Sequence, residues 1–476
     1  MSDEANSTRI AIIGAGPGGY AAAFRAADLG MRVTLIDLEA NPGGVCLHRG
    51  CIPSKVLLHV AKVMNDARDA VHWGVSFAPP EIDFDRLRAS KAEVVEKMTS
   101  GLGQLSRARK IAFVRGRASF QDSTVLRVTA DDGAEQVIET DYTIIASGSR
   151  PAWLPDMYLE SPRLLNSTSA LQMADIPGSL LVVGGGYIGL ELGMVYATMG
   201  SDVTVVEMTQ GLLPGADPDL AAILSRRMEE LMHSIRPNTK VTAMTEVEQG
   251  IEVMLQSGDG EAVPEVFDKV LVSIGRKPNS SGLGLDSTKV EVTDDGFIRV
   301  DEHRRTTDPR IFAIGDVVGQ PMLAHKASHE GRVAAEVIGG ANSAFEPLAI
   351  PAVVFTDPEV AWCGLTEAEA KRDGTKVNVA RFPWGASGRA ATLHRSDGLT
   401  KVITDPDTDR VLGMGIVGTG AGELIAEGVL AIEMGAVASD IGLSIHAHPT
   451  LSETIMETAD LIFGQGTHVY RPRAGH

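Results

Sequence analysis

Cysteine is scarce in this chain: three among 476 residues, too few for a small scaffold stapled by disulfides. Cations are in short supply too, since 43 Lys and Arg face 62 Asp and Glu, leaving a formal net charge of −19. Such a surface is repelled by nucleic-acid phosphates and by anionic membranes, so neither is an expected partner. No apolar run approaches the length of a membrane span. Met1 to Arg9 are polar and lack the apolar stretch of a signal peptide. A cytoplasmic protein is therefore expected. Low-complexity tracts are absent as well, and 44% hydrophobic with 22% charged residues is the composition of a globular chain. Its length exceeds one ordinary core and predicts roughly two to four domains.

Glycine, by contrast, is abundant at 51 residues, and many of these fall where a backbone must approach a ligand. Ile10 to Asp37 reads IAIIGAGPGGYAAAFRAADLGMRVTLID, and Leu180 to Glu207 reads LLVVGGGYIGLELGMVYATMGSDVTVVE. Each copy opens with an apolar run suited to a buried parallel strand. G-x-G-x-x-G follows, as Gly14, Gly16, Gly19 and as Gly184, Gly186, Gly189. A helix-compatible stretch then closes at Gly30 or Gly200, and a second strand ends on an acid, Asp37 or Glu207, at identical spacing. The first glycine makes the tight turn, the second admits a pyrophosphate, and the third lets helix pack on strand. The helix N-terminus stabilises the anion, while the acid accepts hydrogen bonds from an adenosine ribose. One such motif is weak evidence, since glycine turns are common in α/β domains; two complete units at matched spacing are strong. Two dinucleotides are implied, FAD and a nicotinamide being the obvious pair for electron transfer. Glu207 would repel the 2′-phosphate of NADP, and no Arg follows it closely, so NAD is expected at the second unit.

Just after the first unit lies GGVCLHRGCIPSK, Gly43 to Lys55, with Cys46 and Cys51 five positions apart and Pro53 suited to a first helical turn. A thiolate at a helix start is stabilised by backbone N–H groups and the helix dipole. A structural disulfide does not suit a reducing compartment. A zinc site would need further ligands, for which His48 or the pair His446 and His448 are available. A redox-cycling disulfide next to a flavin fits best, and no metal is expected.

This motif resembles the active-site signature of the class I pyridine nucleotide-disulfide oxidoreductases. The likeness runs along nearly the whole chain, through IIASG, GGGYIGLE, SIGRKPN, FAIGD, TDPEVAWCGLTE and HAHPTLSE. PMLAHKASHEG, FPWGASGRA and HAHPTLSE resemble the members that oxidise dihydrolipoyl groups. The resemblance implies an α/β fold with two Rossmann-like dinucleotide-binding domains, for FAD and NAD, and a C-terminal α+β dimerisation domain. The implied boundaries are 1–150 for the first part of the FAD domain, 151–276 for the NAD domain, 277–349 for a central segment completing the FAD domain, and 350–476 for the interface. Helices are expected at Ala421 to Met434 and Ser439 to Leu443.

The roles implied by the resemblance are as follows. Cys46 is the interchange thiol that meets substrate, and Cys51 stands against the flavin. Lys55 lies near flavin N5 with Glu191 as its partner, and Asp316 meets the ribityl chain. His448, oriented by Glu453, is the general acid–base, because dithiol exchange needs one; His446 is structural. Further FAD contacts are implied at Ala118, Gly148 and Ala324, and NAD contacts at Val241 and Gly275. Cys363 reads as a small buried strand residue. His448 would act on the disulfide of the other subunit, making a homodimer obligatory. The lipoyl group would arrive on a partner, the acyltransferase core of a 2-oxo acid dehydrogenase complex or a glycine-cleavage carrier, since no lipoyl domain is fused to the N-terminus.

Some positions depart from the pattern. His48 and Arg49 stand where many relatives carry Asn and Val, so a nearby Arg is expected to favour thiolate. Asp37 replaces the more frequent Glu, and Ala118 replaces a Gly. Relatives that reduce mercuric ion or thioredoxin carry a C-terminal cysteine pair, which is lacking here. Relatives that reduce glutathione would be expected to use NADP, against Glu207. A non-catalytic dinucleotide-binding protein is the reading from another class. It would need none of Cys46, Cys51, Lys55, His448 and Glu453.

Overall fold

The computed structural model describes residues 7–153 and 157–470. The chain divides into two compact units. One comprises Met1–Val56, Ile82–Ala152 and Gly275–Glu346, the other Leu57–Glu81, Trp153–Ile274 and Pro347–His476.

In the first unit five parallel strands lie in the order Ile311–Ala313, Tyr142–Ile145, Arg9–Ile13, Arg32–Asp37, Ala112–Arg115. Apolar runs such as IAII suit this position because a parallel strand covered on both faces has no polar side. The helix Pro17–Asp28 starts with proline, whose missing N–H costs nothing at that position. It buries Gly18, Gly19, Ala22, Ala23 and Ala26 and packs on the helix Ala324–Ile338. Small residues allow this close approach: a Cβ on Gly331 would collide with the Gly18 carbonyl oxygen. A three-stranded antiparallel sheet, Arg117–Asp122, Val125–Thr129 and Glu135–Glu139, sends Ala118, Phe120, Leu126 and Val128 into a core shared with Ile13, Ile36 and Ile145.

The second unit repeats the plan. Its parallel strands lie in the order Ser234–Arg236, Asp202–Val206, Ser179–Val183, Lys269–Val272, Leu164–Leu165. The antiparallel strands Thr239–Val247, Gly250–Ser257 and Val263–Phe267 follow the same design. A separate antiparallel sheet runs Ala352–Val354, Glu359–Gly364, Val411–Gly418, Leu399–Thr404, Asn378–Pro383. The helices Ala421–Glu433 and Glu453–Ile462 pack on it, with Ala438–Leu443 between them. Ala421–Glu433 ends one residue before the expected Met434, and Ala438–Leu443 begins one residue before the expected Ser439. This is the expected mixed α/β architecture. Cys363 is buried in the strand Glu359–Gly364, and burial pushes its thiol up to about 12.

Lys401, on the strand Leu399–Thr404, is only 1% exposed. Its ammonium donates to Asp217 at 2.6 Å, Asp219 at 2.7 Å and Glu367 at 2.9 Å. Asp217 also accepts the backbone N–H of Glu367 and of Ala368. A buried charge is tolerated only with such complete pairing. These three carboxylates have the clustering of a cation site, and the lysine ammonium bonds to all three while the Arg381 guanidinium bonds to Asp219 and Glu367 as well.

Candidate active site

The two glycine-rich turns are built alike, hydrogen bond for hydrogen bond. Gly14 N–H donates to the Ile36 carbonyl at 2.8 Å, and Gly184 N–H to that of Val206 at 2.9 Å. Ala15 N–H donates to Asp37 at 2.6 Å, and Gly185 N–H to Glu207 at 2.6 Å. Each acid then accepts from the N–H two residues on, Glu39 at 2.9 Å and Thr209 at 2.7 Å. Gly14 has φ +98° and Gly184 φ +109°, and a Cβ on Gly184 would stand 2.6 Å from the Ser273 carbonyl oxygen. At the third glycines, Gly19 and Gly189, a Cβ would run into the carbonyl oxygen of Gly14 or Gly184. The second glycines differ. A Cβ on Gly186 would meet nothing within 4 Å, and one on Gly16 only the Gly44 Cα at 3.9 Å. Both cap a helix without any side-chain hydrogen bond, which leaves backbone N–H groups free for an anion. These open second glycines and braced acids fit a pyrophosphate and a ribose, so the residues present suit two dinucleotides.

The first unit also holds the thiol pair. Gly43 N–H donates to the Ala15 carbonyl, and a Cβ on Gly44 would stand 2.5 Å from the Gly16 Cα. The short helix Gly44–Arg49 is thereby held against the first glycine turn. Cys46 lies within it, half-buried, and Cys51 begins the helix Cys51–Asp69 and is exposed. The pair is reduced in this structure, and the two thiols are hydrogen-bonded to each other. That hydrogen bond and burial push the Cys46 thiol upward, while the positive charge of Lys55 acts the other way. Arg49, expected to favour thiolate, instead forms an ion pair with Glu39. The cation that the Cys46 sulfur feels is therefore Lys55. His48 Nε2 donates to the Asn41 carbonyl at 3.1 Å.

Asp316 follows the strand Ile311–Ala313, and its carboxylate accepts from the Ser149 hydroxyl at 2.5 Å. Arg276 donates in turn to the Ser149 hydroxyl and carbonyl, both at 2.7 Å. Below it Glu330, fully buried, accepts the Gly315 N–H at 2.6 Å and pairs with Arg304 and Lys326 at 3.0 Å. The Ser149–Asp316 brace carries no sequence signal of its own, because its partners are 167 residues apart. Gly148 has φ +69° with open space at its Cβ position, as has Gly275 with φ +110°. Ala324 is half-buried at its helix start, whereas Ala118 is buried in a strand.

In the second unit Glu191 is buried, and its carboxylate accepts the Phe355 N–H at 2.9 Å. Val241 is buried opposite Leu255 in the antiparallel sheet. His448 is exposed, with Nδ1 at 2.9 Å from the Glu453 carboxylate. Glu453 begins a helix, and its other oxygen accepts the Thr450 N–H at 2.7 Å. Burial raises this carboxyl, but the Thr450 N–H and His448 outweigh it and hold it below its ordinary range. Fixed as a carboxylate, it orders the imidazole with Nε2 facing outward, the arrangement of a proton acceptor. His446 is likewise engaged, at 2.9 Å from Glu427.

Two dinucleotide cradles and a reactive thiol pair define a disulfide oxidoreductase. Residues 8–331 match the family model described as pyridine nucleotide-disulphide oxidoreductase, and residues 350–459 match that family's dimerisation domain. The chain belongs to this family, and is an FAD- and NAD-dependent enzyme. It is 48% identical to dihydrolipoyl dehydrogenase of Haemophilus influenzae, over 98% of this chain and 97% of that one. With dihydrolipoyl dehydrogenase of Geobacillus stearothermophilus the identity is 44%, over 98% and 99%. Among solved structures, LpdA of Mycobacterium tuberculosis superposes with a TM-score of 0.88 at 28% identity, covering 96% of this chain and 99% of that one. Among the described residues no helix is long and apolar enough to cross a membrane.

Proposed function

We propose that the chain is a cytoplasmic dihydrolipoyl dehydrogenase, oxidising protein-bound dihydrolipoyl groups to lipoyl with reduction of NAD. The observation that carries this reading is the His448–Glu453 pair, a carboxylate-oriented base of the kind a dithiol substrate requires. Full-length identity to enzymes of that name supports it.

His448 takes the proton from one dihydrolipoyl thiol, and the resulting thiolate attacks Cys46 Sγ in the oxidised Cys46–Cys51 pair. The S–S bond breaks and Cys51 leaves as thiolate. The second dihydrolipoyl thiol, deprotonated in turn, attacks the mixed disulfide, so lipoyl leaves and Cys46 is reduced. When bound, FAD and NAD supply the two-electron path from the reduced thiol pair, and one proton passes to solvent. Lys55 provides positive charge at the thiol pair, Glu191 keeps the catalytic role assigned from its motif, and Asp316 holds the flavin. Asp37 with Gly14, Gly16, Gly19, Ala118, Gly148 and Ala324 binds FAD. Glu207 with Gly184, Gly186, Gly189, Val241 and Gly275 binds NAD.

We assign 1–150 and 277–349 to the FAD domain, 151–276 to the NAD domain and 350–476 to the interface. In the resulting homodimer each base serves the thiol pair of the other subunit, so the monomer is inactive. The lipoyl group arrives on the acyltransferase core of a 2-oxo acid dehydrogenase complex or on a glycine-cleavage carrier. The test is NADH formation from dihydrolipoamide at saturating NAD. Cys51→Ser should abolish turnover, and His448→Gln should slow it by about 10²- to 10⁴-fold. Turnover that needs NADP and a different disulfide would refute the substrate assignment.

A further inference from the structure

The loop that presents His448 runs between the helices Ala438–Leu443 and Glu453–Ile462, and within its own chain its first half is exposed while Thr450 to Ser452 are half-buried. Leu443 is 82% exposed, Ile445 100% and the His448 side chain 74%. Within the stretch Leu443 to Pro449 the side chain of His446, at 8%, is the one withdrawn from solvent. Its Nδ1 lies 2.8 Å from the Ser444 carbonyl and its Nε2 2.9 Å from the Glu427 carboxylate, on the helix Ala421–Glu433. Both partners are oxygen acceptors, so each ring nitrogen is held against a fixed polar group and the ring is tied both to its own loop and to the neighbouring helix. On the other side of His448, Glu453 and the Thr450 hydroxyl, which donates to the Ala447 carbonyl at 2.7 Å, tie down the loop.

We infer that Glu427 and His446 are positioning residues for the proton acceptor: a second carboxylate–imidazole pair that sets where the backbone carries His448. This rests on the reading of His448 as the base. Glu453 fixes the orientation of the ring, but it cannot fix the loop N-terminal to it. Without the Glu427–His446 anchor, Leu443 to Ala447 retains little packing within its own chain, and the imidazole loses its place relative to the substrate thiol. Reaction rates are steep in such displacements.

Full-length FAD-loaded protein carrying Glu427→Ala, Glu427→Gln or His448→Gln would be compared in two assays. One is NAD reduction by dihydrolipoamide. The other is ferricyanide reduction by NADH, which draws electrons from the flavin and needs no base at the disulfide. Deuterium uptake of the peptide spanning 443–450 would be followed in parallel. Glu427→Ala should lower kcat with dihydrolipoamide by about 10- to 100-fold, leave ferricyanide reduction unchanged and raise deuterium uptake of the loop. Glu427→Gln should restore both, since an amide of the same length can hydrogen-bond His446 Nε2 while Nδ1 keeps the Ser444 carbonyl. Parental dihydrolipoamide turnover in Glu427→Ala, with His448→Gln impaired, would overturn the inference and leave the base assignment standing. A matching fall in ferricyanide reduction, or failure of Gln to rescue, would also overturn it. Parental turnover in His448→Gln would overturn the base reading itself.

Discussion

Gly184→Ala and Gly186→Ala change neighbouring turns of one motif, yet they should fail in different ways. At Gly184 the backbone has φ +109°, and the new Cβ would stand 2.6 Å from the Ser273 carbonyl oxygen. An ordinary C···O approach is about 3.3 Å, so roughly 0.7 Å of backbone movement is required. Left-handed backbone costs an L-residue about 1–2 kcal/mol, and forced overpacking about 1–3 kcal/mol more. The destabilisation should therefore be about 2–5 kcal/mol. At Gly186 φ is −77° and ψ 172°, a conformation open to any residue, and the Cβ meets nothing within 4 Å. Loss of the preferred cap residue costs at most about 1 kcal/mol there. The methyl would instead occupy the approach of the NAD pyrophosphate and weaken binding by about 10- to 100-fold, some 1.4–2.8 kcal/mol. Thermal unfolding of the FAD-loaded protein without NAD, and NAD titration by calorimetry, separate the two. Gly184→Ala should lower Tm by several degrees, whereas Gly186→Ala should keep Tm and lose NAD. Equal loss of Tm in both would refute the distinction between a glycine needed for the turn and one needed for the ligand.

Lys401→Met should cost about 3–5 kcal/mol, because it leaves Asp217 buried without its cation, while Arg381 still pairs with Asp219 and Glu367; a Tm within a degree of the parent would refute this. For Glu453, whose carboxyl is held below its ordinary range, the stabilisation is present above the unfolded value of about 4.3 and lost as pH falls through its own lower value. The stability difference between parent and Glu453→Gln in urea should accordingly shrink as the buffer falls below about pH 5; a difference that instead grew below that pH would contradict the assigned direction.

What could be read from the residues depends on how local the physics is. The cradles were legible because a left-handed turn, a close helix–strand approach and a ribose acceptor each restrict residue type at a fixed spacing. The thiol pair and the HAHPTLSE base are local in the same sense, with Glu453 five residues from His448. The Lys401 network was not legible. Its partners are 184, 182 and 34 residues away, and a lysine in the run LTKVIT looks like an ordinary outward-facing strand residue. Glu330 braces Gly315 across fifteen residues and one helix turn start, again without periodic signature. Arg49 misled for a related reason. Nearness to Cys46 in sequence suggested influence on the thiol, but its long side chain reaches Glu39 instead. A flexible cation goes to the carboxylate that can pair with it, and sequence distance does not report that choice.

The matched hydrogen bonds of Asp37 and Glu207 also revise what the acid of the motif does. It is usually read as the ribose acceptor alone, a group whose purpose appears only with ligand present. Here each carboxylate already takes two N–H donors from its own turn, at 2.6 and 2.9 Å for Asp37 and at 2.6 and 2.7 Å for Glu207. Two different acids, one a methylene longer, arrive at the same contacts, and they do so with different burial: Glu207 is 8% exposed while Asp37 is only half-buried. The common requirement is therefore the brace from first glycine turn to second strand end. A carboxylate oxygen has room for more than one donor, so ribose hydroxyls can add to a group whose position is already settled. Ordering of the turn is then borne by folding and not by binding, which is the condition under which a few polar contacts yield useful affinity.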